Sequence, residues 1–252
     1  MVTIDLNCDL GEGFGAYKIG NDDKILPFVS SVNIACGFHA GDPTVMRQTV
    51  EKALFHNVEM GAHPGFPDLI GFGRRFMRVS PEEVYDYVLY QIGALDGFIR
   101  AAGGSMHHVK PHGALYNMAA TDREIADAIA KAIYHINPEL FLYGLANSEF
   151  IQAAKKYELK LVQEAFADRT YQSDGTLTSR TEENALIKNE DKAMEQVLQM
   201  VQEGEVQAVD GNMVTINAQT ICIHGDGEKA VQFAEGIYRT FRLNDVSVCA
   251  PK

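Results

Sequence analysis

The stretch TIDLNCD, Thr3 to Asp9, alternates apolar and polar side chains. On a β-strand this puts Ile4, Leu6 and Cys8 on one face and Asp5, Asn7 and Asp9 on the other. Six further short runs follow: Ser31–Cys36, Glu59–Ala62, His107–Lys110, Phe141–Tyr143, Lys160–Glu164 and Thr220–His224. Helix signals lie between them. Asp42-Pro43 offers an N-cap and a first-turn proline ahead of the stripe Met46, Val50, Ala53 and Leu54. Ser80-Pro81-Glu82-Glu83 reads as a capping box before Val84, Val88, Ile92, Leu95 and Ile99. Thr121-Asp122-Arg123-Glu124 reads as another, before Ile125, Ile129, Ala132 and Ile136. Later stripes are Val197, Leu198 and Val201, then Ala230, Ala234, Ile237 and Phe241. Strand-then-helix repeats predict parallel pairing, and seven such units suit a closed or nearly closed β/α barrel better than an open sheet. Val206–Val209 and Met213–Ile216 around Asp210-Gly211 predict a small antiparallel hairpin before the last strand. The expectation is one α/β barrel domain over residues 1–252.

Bulk properties exclude several classes. A formal charge of −12 argues against a nucleic-acid or anionic-membrane surface. No run approaches the roughly 18 apolar residues of a membrane span, and the N-terminus lacks the pattern of a signal peptide. Cys8, Cys36, Cys222 and Cys249 form no C-x-x-C pair, so reduced cysteines, mostly small core residues, and a soluble cytoplasmic protein are expected.

The chemistry gathers after the strands, where α/β folds bind ligands. The first run ends at Asn7-Cys8-Asp9, the second leads to His39 and Asp42, the third to His63, the fourth to Lys110-Pro111-His112, the sixth to Glu164, Asp168 and Arg169, and the last to His224 and Asp226. Six of the eight histidines (His39, His63, His107, His108, His112 and His224) lie at such ends. His108, Lys110 and His112 share one strand face if the backbone stays extended past Pro111. Polar ladders of this kind imply a hydrogen-bonded or catalytic interior, since unpartnered buried polar groups are costly. Any single strand-end histidine could be purely structural, as His56 and His135 late in helices are expected to be, and Asp42 fits a helix cap. The convergence carries the functional expectation. Arg74 and Arg75 in Gly71-Phe72-Gly73-Arg74-Arg75 suit a carboxylate or phosphate, and His224-Gly225-Asp226-Gly227 could hold an anion at a helix start. Gly11-Glu12-Gly13-Phe14-Gly15 lacks the Lys-Ser/Thr of a nucleotide-phosphate loop. There is no G-x-S-x-G elbow or H-E-x-x-H helix.

DLNCDLGEGFG (5–15), NIACGFHAGDP (33–43), GAHPGFPDLIGFGRR (61–75), VKPHGALYN (109–117), EAFADRTY (164–171) and ICIHGD (221–226) resemble the LamB/YcsF family, in order and over essentially the whole chain. Val32 and residues 176–186 are the visible departures. The resemblance implies a distorted TIM-like barrel of the glycoside hydrolase/deacetylase type. It implies opening of the 5-oxo-L-proline (pyroglutamate) lactam to L-glutamate with ATP hydrolysis, in a complex with 5-oxoprolinase subunits B and C. ATP is then expected mainly on those partners, and self-association stays open. On this footing Asp9 or His112 is expected as general base, Lys110 and His39 as oxyanion stabilisers, and Arg74 or Arg75 on the substrate carboxylate. Asn7, His63, Glu164, Asp168, Arg169, His224 and Asp226 complete the rim. Lys110→Met is expected to abolish turnover without disturbing the fold. Asp9, His39 and His63 could supply the Asp-plus-two-His set of metal-dependent deacetylases. The rival readings are a stand-alone metal-dependent deacetylase or amidohydrolase, and a non-catalytic component that presents the substrate.

Overall fold

In the computed structural model, which describes residues 2–225, 227 and 230–252, seven parallel strands close into a barrel. The strands in chain order are β1 (Val2–Leu10), β2 (Ser31–Ala35), β3 (Glu59–His63), β4 (Met106–Val109), β5 (Phe141–Leu145), β6 (Leu161–Phe166), β7 (Glu205–Gln207), β8 (Met213–Thr215), β9 (Thr220–Ile223) and β10 (Val246–Val248). Barrel order is β1-β2-β3-β4-β5-β6-β9. It closes because β9 pairs with β6 through Glu164↔Thr220 and with β1 through Asp5↔Thr220. The hairpin β7–β8 is antiparallel, with Val206 opposite Val214, as Asp210-Gly211 predicts. One strand escapes the sequence reading: β10 lies beside the start of β1, Val2↔Val246 to Ile4↔Val248.

Local chemistry explains the helices. Asp42 accepts from the amides of Thr44 and Val45 and opens Pro43–Phe55. Ser80 and Glu83 form the reciprocal capping box of Pro81–Ala101, whose stripe Val84, Val88, Ile92, Leu95 and Ile99 is fully buried. The third cap shifts by one residue from the sequence expectation. Asp122, not Thr121, accepts from the Glu124 and Ile125 amides and opens Arg123–Ile136, because Thr121 already ends the helix Gly113–Thr121. Among the described residues no helix is long and apolar enough to cross a membrane. All four cysteines are free, with Cys8, Cys36 and Cys222 buried and Cys249 exposed.

Asp42 also accepts from the Gly15 amide, and these backbone donors hold its carboxyl below the ordinary value. That contribution is fully present above the unfolded pKa of about 3.9 and is lost as pH falls through the lower folded value. Asp42→Ala is expected to lower stability by about 1 kcal/mol at neutral pH, and by less in acid; urea melts at two pH values check this.

The barrel has two kinds of interior. Outward faces (Leu6, Ile34, Val109, Leu142) pack against helices and are fully buried. Inward faces are polar yet equally buried: Asp5, Asn7, Asn33, His108, Glu164 and Thr220. They survive burial through mutual hydrogen bonds. Ser31 and Thr220 hydroxyls donate to Asp5, Asn33 Nδ2 donates to Asn7 and Asp9, and His108 Nε2 donates to Asn33 Oδ1. This ladder climbs from the β1 start to the strand ends, where the side chains reach open space.

Candidate active site

Asp9, at the top of that ladder, is the junction of the site. Its Oδ1 accepts from Asn33 Nδ2 at 2.8 Å and from Lys110 Nζ at 3.0 Å, while Oδ2 lies 3.4 Å from His63 Nε2. Burial alone would raise the Asp9 carboxyl, but His63 and Lys110 hold it well below the usual carboxylate range. Lys110 is itself 2 % exposed, with Glu164 Oε1 at 2.8 Å, Asn7 Oδ1 at 3.1 Å and Cys222 Sγ at 2.9 Å from Nζ. Burial would favour the neutral amine; Asp9, Cys222 and Glu164 outweigh it and keep the ammonium charged. Asn7 spends all four of its hydrogen-bonding positions in this network: Nδ2 donates to Glu164 and Thr220, and Oδ1 accepts from Asn33 and Lys110. Neither Asn7 nor the fully buried Glu164 therefore faces a substrate, contrary to the sequence expectation; both hold Lys110 in place.

Beside Asp9 stand three histidines and Glu12. His63 Nδ1 donates to the Lys110 carbonyl at 2.7 Å, and His112 Nε2 donates to the Phe72 carbonyl at 2.8 Å. These bonds fix both tautomers. His63 Nε2 and His112 Nδ1 face each other at 2.9 Å. Such a contact requires a positive charge between or beside the two nitrogens. His39, stacked on His112 with centroids 3.7 Å apart, is fully buried with no hydrogen-bond partner at either ring nitrogen. Burial and the neighbouring His63 pull the His39 pKa well down, and burial with His39 and His63 does the same to His112, so both present neutral imidazoles. Glu12 Oε1 lies 3.7 Å from His39 Nε2 and 3.9 Å from His112 Nδ1. One ligand atom from each of Glu12, His39, His63 and His112 falls within 4.8 Å of all the others. A tetrahedral cation with bonds near 2.0–2.2 Å separates its ligand atoms by about 3.4 Å, so the spacing suits one divalent metal, with Glu12, His63 and one of the two stacked rings as ligands, since parallel ring planes cannot share an ion.

Two expectations about His39 change here. The structure groups it and His63 with Glu12 and His112; Asp9 belongs instead to a group with Cys222 and His224, where the Lys110 ammonium already supplies the cation. As an oxyanion donor His39 is badly placed, since it is sealed behind His112 and absent from the lining of the inner recess. Glu12 escaped sequence reading because it lies in the glycine-rich turn, although that turn directly follows β1. Gly73 makes the packing feasible: it sits at φ +62°, and an added Cβ would lie 2.7 Å from His39 and 2.9 Å from His112.

The recess, about 40 Å³, is lined by Asp9, His63, Lys110 and His112 below and by Arg74, Arg169, Arg180 and His224 above. His224 Nδ1 donates to both Asp168 oxygens at 3.0 Å, and its Nε2 accepts from Arg180 at 2.9 Å. Burial would raise the Asp168 carboxyl; His224 and Arg180 bring it below its ordinary value. Arg169 donates to the Thr178 and Ala185 carbonyls and still reaches the recess. Arg75, expected on substrate, is instead paired with buried Asp68 and stays outside. Arg180 lines the recess instead; it stands 14 residues beyond Phe166, the end of β6, and no spacing signal marks it. Asp226 lies outside the described residues.

A family model described as LamB/YcsF matches residues 4–252. The chain is 80% identical to the 5-oxoprolinase A subunit of Bacillus cytotoxicus, with all of both chains aligned. It also superimposes on the lactam utilization protein of Thermus thermophilus at TM-score 0.93 and 46% identity, covering 99% of this chain and 100% of that one. A peptidoglycan deacetylase from Bacillus subtilis, at TM-score 0.50 and 11% identity over 98% of this chain and 87% of that one, shares the fold alone. With a barrel of the expected type, a match that spans almost every residue and a full-length relative at this identity, the chain belongs to the LamB/YcsF family.

Proposed function

We propose that this chain, as a single catalytic barrel, is the A component of a 5-oxoprolinase and opens the lactam of 5-oxo-L-proline to L-glutamate, with ATP hydrolysed by a complex that includes the B and C components. The observation that carries the chemistry is the buried Asp9–Lys110 pair set against the facing His63 and His112 rings at the floor of an arginine-rimmed recess. The relatives named for 5-oxoprolinase and for lactam utilization supply the substrate class.

A divalent cation held by Glu12, His63 and one of the stacked His39 and His112 rings would keep a coordination position open and would supply Lewis-acid polarisation of the lactam carbonyl. The chain's own residues do the rest. Asp9 keeps its charge and lines the recess, so it takes the proton of the attacking water. His112 has both ring nitrogens committed, which removes it as the base. The Lys110 ammonium, its N–H groups already engaged by Asn7, Asp9 and Glu164, acts through its fixed charge on the negative charge developing at the carbonyl oxygen. Asp9 then passes that proton to the departing ring nitrogen, while His224, held by Asp168 at Nδ1 and by Arg180 at Nε2, lines the recess. Arg74 and Arg169 sit where a substrate carboxylate would be gripped.

The test is glutamate release from 5-oxoproline by the purified chain, alone and with the B and C components, each with and without ATP. Release is expected only with partners and ATP together. Release by the chain alone without ATP would replace this reading with that of a stand-alone amidohydrolase. If the isolated chain binds 5-oxoproline and no combination turns it over, its role is to present the substrate.

A further inference from the structure

The recess opens outward into a second chamber of about 660 Å³, far larger than a lactam ring needs. Arg74, Arg169, Arg180 and Asn117 line both spaces, and the hydroxyl-bearing Thr178 and Ser179 line the chamber. Three guanidinium groups thus converge on one mouth of a chain whose formal charge is −12. Each comes from a separate piece of chain. Arg74 follows β3 and lies over the Phe72 ring at 4.8 Å, Arg169 follows β6, and Arg180 stands on the loop beyond. Asp174 is the chamber's carboxylate among the described residues, and its Oδ1 already accepts from the amide and hydroxyl of Thr176. Burial above all, with the like charges of Arg180 and Arg74 adding to it, brings the Arg169 pKa down to about 10 against the pull of Asp168 and Tyr171.

A substrate carboxylate carries one negative charge, which the Arg74 and Arg169 guanidiniums already exceed. Three, fanned around a hydroxyl-lined space, match a group with two negative charges and several acceptor oxygens. From the convergence of Arg74, Arg169 and Arg180 on this chamber we infer that it binds a phosphoryl group, placing it directly outside the Asp9–Lys110 recess. The group could be carried by a small phosphorylated compound, by a nucleotide or by free orthophosphate; the shared chemistry is the dianionic phosphoryl. This inference does not need the lactam reading, because it concerns binding to the isolated chain.

The experiment is a ³¹P NMR titration of the full chain with orthophosphate at constant ionic strength, repeated with Arg74→Gln, Arg180→Gln and, as a charge control, Arg100→Gln on the exposed end of Pro81–Ala101. Saturable binding is expected, weaker by about tenfold in each chamber variant and unchanged in the control. Circular dichroism shows which variants fold, and two chamber positions keep the test alive if one does not. Displacement of orthophosphate by ATP but not by adenosine extends the site to nucleotides. Failure of ATP to displace it restricts the site to small phosphoryl compounds; both outcomes support phosphoryl recognition. No saturable binding, equal weakening in Arg100→Gln, or competition by adenosine as strong as by ATP would overturn it. Absence of saturable phosphate binding to the unsubstituted chain, with lactam opening by its reconstituted complex intact, would sink this inference alone.

Discussion

Lys110→Met is expected to cost about a thousandfold in glutamate release and to lower the stability of the chain by about 3–5 kcal/mol. The sequence alone suggests a silent structural change, because methionine matches the lysine stem. The structure overturns that. Lys110 Nζ is the cation between Asp9 and Glu164, both buried, and removing it strands two carboxylates away from water. For a chain of this length the loss corresponds to a melting temperature lower by roughly 6–20 °C. The sign with pH follows from the lysine. Its folded pKa lies above the unfolded value, so its contribution is complete at neutral pH and disappears only as pH rises through the folded pKa. Adding Glu164→Gln to Lys110→Met removes one stranded charge, so part of the melting temperature should return while activity stays lost. A double variant no more stable than the single one would show that Glu164 is not the partner that matters; near-normal turnover in either would take Lys110 out of the mechanism.

His63→Ala is expected to weaken binding of a divalent cation by about a hundredfold or more and to reduce turnover in parallel. His63 contributes the nitrogen closest to His112 Nδ1 and also approaches Asp9 Oδ2, so its removal opens one side of the ligand group. His107→Ala serves as the control. That ring is hydrogen-bonded to the Pro251 carbonyl and to His108, away from the recess, and its loss should leave cation binding unchanged. Equal cation affinity in wild type and His63→Ala would disperse the proposed ligand set.

The apolar alternation of Thr3–Cys8 made both barrel faces legible in the sequence, because a strand's period of two leaves no freedom once one face is apolar. The runs preceding His63 and Lys110 located the rim for the same reason. β10 was invisible: Val-Ser-Val is three residues long, and its pairing with Val2–Ile4 joins the two ends of the chain. The helix Gly113–Thr121 was missed since His112 precedes it with no side-chain cap and the segment is read first as a site. Within the site, backbone-bound partners were the blind spot. Nothing in the order of letters says that Arg75 turns to Asp68 and Arg180 turns inward, or that the Phe72 carbonyl dictates which nitrogen of His112 stays bare. Those choices are made by loop geometry, which carries no periodicity.

The most direct test is to count divalent metal per chain across a series of partly chelated samples and to measure, in the same tubes, glutamate release by each after reconstitution with the B and C components. Release should rise in proportion to metal, up to one ion per chain, and return when the ion is restored. Full release from chains stripped of metal would contradict the account, because Glu12, His39, His63 and His112 would then enclose nothing that the reaction uses.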